Sequence, residues 1–234
     1  MYGQSLARFI IGIVGNVLSL LLFLSPGPTC LRIWRNQTTE EFHPYLYLAS
    51  VMNCMFWVFY GLPVVHPDSI LVISINSAGL ILELIYLGIF FRYTTNRKRA
   101  IIICLLIVEI IMLAIVALIT FLCFHSHTSR SMFVGIICVV CGIIMYASPL
   151  SVIGQVMKSQ DPEFMPFWVC LAGFSNGVVW LIYACLKSFD LYIATGNGLG
   201  AAFGLFQLSV YAYYTFGAKR GGSVQSEVKH CEII

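Results

Sequence analysis

Charge is scarce in this chain of 234 residues: Asp, Glu, Lys and Arg make up 10% of it, against about 25% in an ordinary globular protein. A soluble fold of this size needs far more charge to cover its surface. The net charge of +3 is small and scattered, which excludes a nucleic-acid footprint. There is no tripeptide period and no long polar tract, so collagen-like and disordered classes are excluded as well. Clustered loop cysteines are also lacking. Most of the nine cysteines, such as Cys54, Cys104, Cys138, Cys141, Cys170 and Cys185, lie inside apolar runs, where a thiol behaves as a small hydrophobe. The odd count argues against a disulfide framework. Cys138 and Cys141 have CxxC spacing but no second pair, so neither a metal site nor any cofactor is expected. Arg8 is the only early positive charge and no small-x-small site precedes a mature start, so no cleavable signal peptide is expected.

Apolar sequence is what the chain has in abundance. Hydrophobic residues make up 59% and aromatic residues 14%, the composition of an integral membrane protein with the lipid bilayer as its solvent. A spanning helix needs about 20 apolar residues at about 1.5 Å each. That ruler predicts seven spans, near 9–31, 44–65, 70–92, 100–124, 132–156, 165–186 and 191–216. An odd number of spans puts the termini on opposite sides. One face collects Arg32, Arg35, Arg92, Arg97, Lys98, Arg99, Lys158, Lys219, Arg220 and Lys229, whereas the other has only Arg8, Arg130 and Lys187. By the positive-inside rule, the N-terminus is expected outside the cell or in a lumen and the C-terminus in the cytosol. The tail, 217–234, is expected to be mobile, and the expected address is the plasma membrane.

An internal repeat organises these spans. Shifting the chain by 123 residues lays Gly12 on Gly135, Ser25-Pro26 on Ser148-Pro149 and Glu40 on Glu163. The same shift lays Asn53, Trp57 and Tyr60 on Asn176, Trp180 and Tyr183. At an offset of 121, which a two-residue loop difference allows, Asn76-Ser77 falls on Asn197-Gly198. Spans 1–3 therefore repeat as spans 5–7. The expected units are a first three-helix repeat over 9–92, a connector over 100–124 and a second repeat over 132–216. Three helices reverse direction, so the connector is what makes the two repeats parallel. Such repeats place a substrate site near the midplane at their interface.

Depth selects the candidates for that site. Trp57 lies about five residues before the end of span 2 and Asn76 about six residues into span 3. Each is thus roughly 8–9 Å inside a core of about 30 Å. Trp180 and Asn197 repeat that depth. Carboxamides can donate to and accept from ring hydroxyls, and indoles offer flat apolar faces to a sugar's C–H surface. No charge is present among them, so the expected ligand is small and neutral. Asn53 and Asn176 sit one turn from the tryptophans on the same face. They either widen the polar lining or tie helices together.

Several motifs carry a resemblance along nearly the whole chain. These are Gly15-Asn16 with Leu24-Ser25-Pro26, Thr39-Glu40-Glu41-Phe42, the run from Asn53-Cys54 to Tyr60-Gly61-Leu62-Pro63, Met145 to Leu150, and Glu163-Phe164-Met165-Pro166-Phe167. The sequence resembles the SWEET sugar transporters, and its Val65-His66-Pro67-Asp68-Ser69 loop resembles plant members associated with hexoses. The resemblance implies an all-α membrane fold of seven helices in a 3+1+3 arrangement. It implies facilitative, bidirectional uniport of a hexose such as glucose by alternating access, with a disaccharide such as sucrose as the alternative. It also implies gating roles for Pro26, Pro149 and Pro166 at the cytosolic side, and for Tyr60 and Asp190 at the outer side. The fourth proline position is Leu46 here, with Pro44 displaced, and Gly196 stands where a proline commonly precedes the asparagine. The prolines either permit opening or only shape packing, and Asp190 either takes part in the gate or caps span 7.

Other classes fit less well. A seven-span receptor does not explain the duplication. A membrane enzyme lacks HExxH or a paired Ser and His within the spans, so no catalytic residue is expected. A channel-like pore differs from a carrier by flux that barely saturates. Glu83 and Glu109 lie inside spans without a Lys or Arg partner and are expected to be protonated or hydrogen-bonded packing groups. Incomplete enclosure in so small a bundle leaves room for homo- or hetero-oligomers.

Overall fold

The computed structural model describes residues 2–145, 147–160 and 165–231, and every regular element among them is an α-helix. In chain order these are α1 (Tyr2–Leu24), α2 (Gly27–Asn36), α3 (Tyr45–Gly61), α4 (Ile70–Tyr93), α5 (Asn96–Cys123), α6 (His127–Met145), α7 (Ala147–Ser159), α8 (Phe167–Cys185) and α9 (Leu191–Cys231). Five segments are long and apolar enough on their own to cross a membrane: Gly3–Asn36, α4, α5, α6 and α8. The 17-residue α3 and the apolar first part of α9 complete seven crossings.

The first expected span is broken rather than continuous. It divides into α1 and α2 at Ser25-Pro26. Pro26 has no N–H to offer the carbonyl of Leu22, one turn back. Ser25 takes that acceptor instead, with its N–H at 3.1 Å and its hydroxyl at 2.7 Å. The fifth span is helical on both sides of position 146, as α6 and α7, and position 146 itself lies outside the described residues. Pro149 falls within α7, and its side chain lies outside the described residues. Pro166 lies at the very start of the sixth expected span. It stands in extended backbone as the N-cap of α8, and its carbonyl accepts from Val169 and Cys170. Pro44, with helical backbone angles, is the N-cap of α3, so both of these helices begin on a proline, where a missing N–H costs nothing. The last helix also runs further than expected. No proline interrupts it, and α9 continues to Cys231 in place of a loose tail from Gly217.

Packing follows the duplication. In the first repeat α4 lies against both α1 and α3, and in the second α9 lies against α6 and α8. The halves meet through α1 on α8 and α3 on α6, while α5 touches α3, α4 and α6 from the side. Gly12 and Gly135 are the matched close approaches: a Cβ at Gly12 would collide with Leu71, and one at Gly135 with the Tyr192 ring. Leu71 and Tyr192 are themselves repeat counterparts.

The cores distinguish the two ends of the bundle. At the end carrying Asp190, Phe56, Tyr60, Val134, Cys138, Trp180, Tyr183 and Ile193 form one cluster that joins both repeats. At the opposite end, which carries Arg97, Lys98 and Arg99 and is called the basic end below, each repeat keeps its own core. One contains Cys30, Ile33, Tyr47 and Phe90, and the other Ile153, Val156, Met165 and Cys170.

Candidate functional site

A cavity of about 460 Å³ lies between the repeats. All six residues selected by depth and chemistry line it: Asn53, Trp57, Asn76, Asn176, Trp180 and Asn197. Its wall continues through Ser50, Glu83 and Met145 to Ser25, Pro26 and Leu46 at the basic end, where Leu46 is 45% exposed. The cavity is therefore approached from the end where the cores are separate.

The two central amides are held alike. Asn76 donates from Nδ2 to the carbonyl of Val72, and Asn197 donates from Nδ2 to the carbonyl of Ile193, each at 2.9 Å. One N–H of each carboxamide is thereby spent on the turn below. This fixes the rotamer and leaves the oxygen and the second N–H for a ligand. The helices themselves set the spacing, since each asparagine is the seventh residue of its helix, α4 or α9.

The tryptophans are less alike. Each meets the tyrosine one turn on edge-to-face, Trp57 with Tyr60 at 5.5 Å and Trp180 with Tyr183 at 5.0 Å between centroids. Trp180 is only 5% exposed, packs against Gly15, and donates from Nε1 to the Ser19 hydroxyl at 3.0 Å. Ser19 in turn donates to Asn176 Oδ1 at 2.7 Å. Trp57 is half-buried and rests on Gly196, whose Cβ would stand 3.5 Å from its ring.

A polar layer roofs the cavity at the Asp190 end. Tyr60 has no exposed surface and its phenol reaches both carboxylate oxygens of Asp190, at 3.0 and 2.9 Å. Asp190 Oδ1 also accepts the backbone N–H groups of Tyr192 and Ile193, each at 3.0 Å. The bond to Tyr60 and the cap on α9 therefore coexist. His66 stacks on the Tyr60 ring at 4.8 Å and brings Nε2 to 3.2 Å from Asp190 Oδ2. Lys187 joins the α8–α9 loop to Asp68 in the α3–α4 loop at 2.7 Å, and holds that carboxyl below the usual range. At the basic end Glu40 is bound by Asn36 and by a forked contact from Arg32. These hydrogen bonds likewise lower its carboxyl.

Glu83 and Glu109 are both buried. Glu83 accepts from Ser50 at 2.9 Å and also lines the cavity, while its Oε2 has no partner among the described residues. Glu109 lies on α5, with its Oε2 likewise unpartnered there. Sequence reasoning passed over Ser19 and His66. A small hydroxyl residue in an apolar helix has no signal of its own, and His66 could be placed only once the α3–α4 loop was seen to fold over Asp190.

Similarity to known proteins agrees with this architecture. Residues 9–99 and 132–219 match the family described as sugar efflux transporters for intercellular exchange. Bidirectional sugar transporter SWEET5 of Arabidopsis thaliana is 50% identical over 89% of this chain and 86% of its own length. SWEET4 of the same plant is 50% identical over 92% and 85%, and SWEET7b of Oryza sativa subsp. japonica is 45% identical over 92% and 80%. The solved structure of a eukaryotic SWEET transporter superposes with a TM-score of 0.85 at 37% identity, over 91% of this chain and 98% of the other. The seven-helix, 3+1+3 bundle with its duplicated Trp and Asn lining is that of an integral membrane transporter rather than an enzyme, and the chain belongs to the SWEET family of sugar transporters.

Proposed function

We infer that this protein carries sugar across a membrane as a bidirectional uniporter working by alternating access, and that its sugar is a hexose such as glucose. One observation carries the reading. Paired indoles and paired carboxamides converge on a cavity of about 460 Å³, within the roughly 300–1,000 Å³ of small-molecule sites. That cavity is roofed at one end and approached from the other. Asn76 and Asn197 bind ring hydroxyls, Trp57 and Trp180 cover the C–H faces, and Asn53 and Asn176 complete the lining.

Transport is an exchange between two closures. The Tyr60–Asp190 bond and the shared core close the outer end, while Pro26, Pro149 and Pro166 lend the helices of the basic end the bend by which it closes. The working units are the repeats 9–92 and 132–216, the connector 100–124 and the segment 217–234. The distribution of Lys and Arg supports a cytosolic basic end, an N-terminus outside, and residence in the plasma membrane. Homo- or hetero-oligomers are compatible with the lipid-facing apolar surfaces.

Uptake of radiolabelled glucose and sucrose in yeast lacking hexose transport, at pH 5 and pH 7.5 with and without a protonophore, tests this reading. Saturable glucose uptake that ignores the protonophore is the expected result. Sucrose uptake alone would make the substrate a disaccharide, and flux that does not saturate would make the protein a pore. Absence of uptake by protein verified at the surface would overturn the proposal.

A further inference from the structure

The two halves of the cavity wall repeat Asn53 and Trp57 as Asn176 and Trp180, but the helix facing each pair differs. On one side, Ser19 of α1 serves Asn176 and Trp180 of α8. Its hydroxyl donates to Asn176 Oδ1 at 2.7 Å and accepts from Trp180 Nε1 at 3.0 Å. On the other side, α6 faces Asn53 and Trp57 of α3, and the repeat counterpart of Ser19 is Gly142. Glycine brings no hydroxyl. Among the described residues, Asn53 Oδ1 is buried without a partner and Trp57 makes no hydrogen bond.

The space for the missing group is present. A Cβ on Gly142 would find Asn53 Oδ1 as its nearest neighbour, at 4.0 Å. A hydroxyl one bond further out, about 1.5 Å, would come within hydrogen-bonding distance. Gly142 and Asn53 both line the cavity. A buried carbonyl oxygen without a donor is costly, and such orphaned groups in native structures call for an explanation.

We propose that a hydroxyl of the transported sugar takes the place that the Ser19 hydroxyl holds in the other half, donating to Asn53 Oδ1 and accepting from Trp57 Nε1. The proposal rests on the sugar-carrier reading and adds which half of the lining reads the substrate. Ser19 is then a positioning residue that ties off one half, and Gly142 is the opening that makes the other half selective. Asn53 and Asn176, alike in sequence, do different work: Asn176 joins the repeats, and Asn53 recognises one hydroxyl. A site built around a particular hydroxyl rejects an analogue lacking it, because its own polar groups are then left unpaired.

The test is binding of D-glucose and its 2-, 3-, 4- and 6-deoxy forms to the purified full chain, for the native protein and for Gly142→Ser and Gly142→Ala. In the native protein one deoxy form should bind about tenfold to a hundredfold more weakly than glucose through this contact. In Gly142→Ser the protein supplies its own hydroxyl. Glucose affinity should fall by about tenfold, that deoxy form should lose its disadvantage, and thermal stability without sugar should rise. Gly142→Ala adds a methyl group but no hydroxyl and should keep the native profile, separating hydrogen bonding from bulk. Gly142→Ser with an unchanged profile would overturn the proposal. So would native protein that binds glucose but shows no single sensitive hydroxyl at this contact. Native protein that binds none of these sugars would overturn the hexose reading and the proposal together.

Discussion

The Asp190 end and the basic end of this bundle are built from the same repeated helices yet are held by different means. At the Asp190 end, buried residues of both repeats share one core and a phenol bridges to a carboxylate across the interface. At the basic end each repeat closes on itself, and no cluster of buried side chains joins them among the described residues. A carrier needs two closures of comparable free energy, since an end held too firmly never opens. The comparison teaches that the Asp190 end is held across the repeats by a bonded contact, whereas at the basic end each repeat packs on itself.

The site between the ends should show the largest effects. Asn76→Ala and Asn197→Ala each remove a carboxamide fixed in the same way, and each should abolish measurable uptake without loss of surface protein. Unequal effects would show that the matched hydrogen bonds conceal unequal roles. Next comes the bonded end. Tyr60→Phe removes the phenol donor from a buried carboxylate, a contact worth about 1.5–3 kcal/mol. The balance between end-states should shift by roughly tenfold to a hundredfold, seen as faster labelling of a cysteine introduced on the Asp190 side of Trp57.

Pro26→Ala probes the junctions of the other end. It restores an N–H for the Leu22 carbonyl and displaces Ser25 from it, so α1 and α2 should run together. Uptake should fall roughly fivefold, about 1 kcal/mol in barrier, while thermal stability rises. A fall in both would mean that the break serves packing alone. The smallest effect is expected for Lys187→Ala, which removes the exposed pair with Asp68. Such pairs contribute about 0–1 kcal/mol and are screened by salt, so uptake should change by less than about fivefold, and less still at high ionic strength.

Much of this arrangement was legible in the sequence because the signals were periodic or duplicated. Apolar length set the crossings, and the offset of 123 residues paired Asn53 with Asn176 and Trp57 with Trp180. The Tyr60–Asp190 bond came only with the family resemblance, since 130 positions separate the two residues. Hydropathy could not locate the break in the first span, because Ser25 and Pro26 sit in a run apolar enough to read as continuous. Nor could that ruler show that Pro166 caps α8, since it counts residues but does not see where backbone turns extended. Ser19 was illegible for another reason. Its meaning lies in a partner 157 positions away, and no pattern within α1 announces it.

The contact between Ser19 and Asn176 joins the first repeat to the second, so each half of the pocket is written partly in the other half of the gene. In an assembly of identical three-helix units, any substitution would appear twice and both half-pockets would change together. Fusion into one chain removes that constraint. A single nucleotide change in the codon for Ser19 can alter the wall around Asn176 and Trp180 while Asn53 and Trp57 keep theirs. New substrate preferences can then be tried in one half-pocket while the other preserves the ancestral grip.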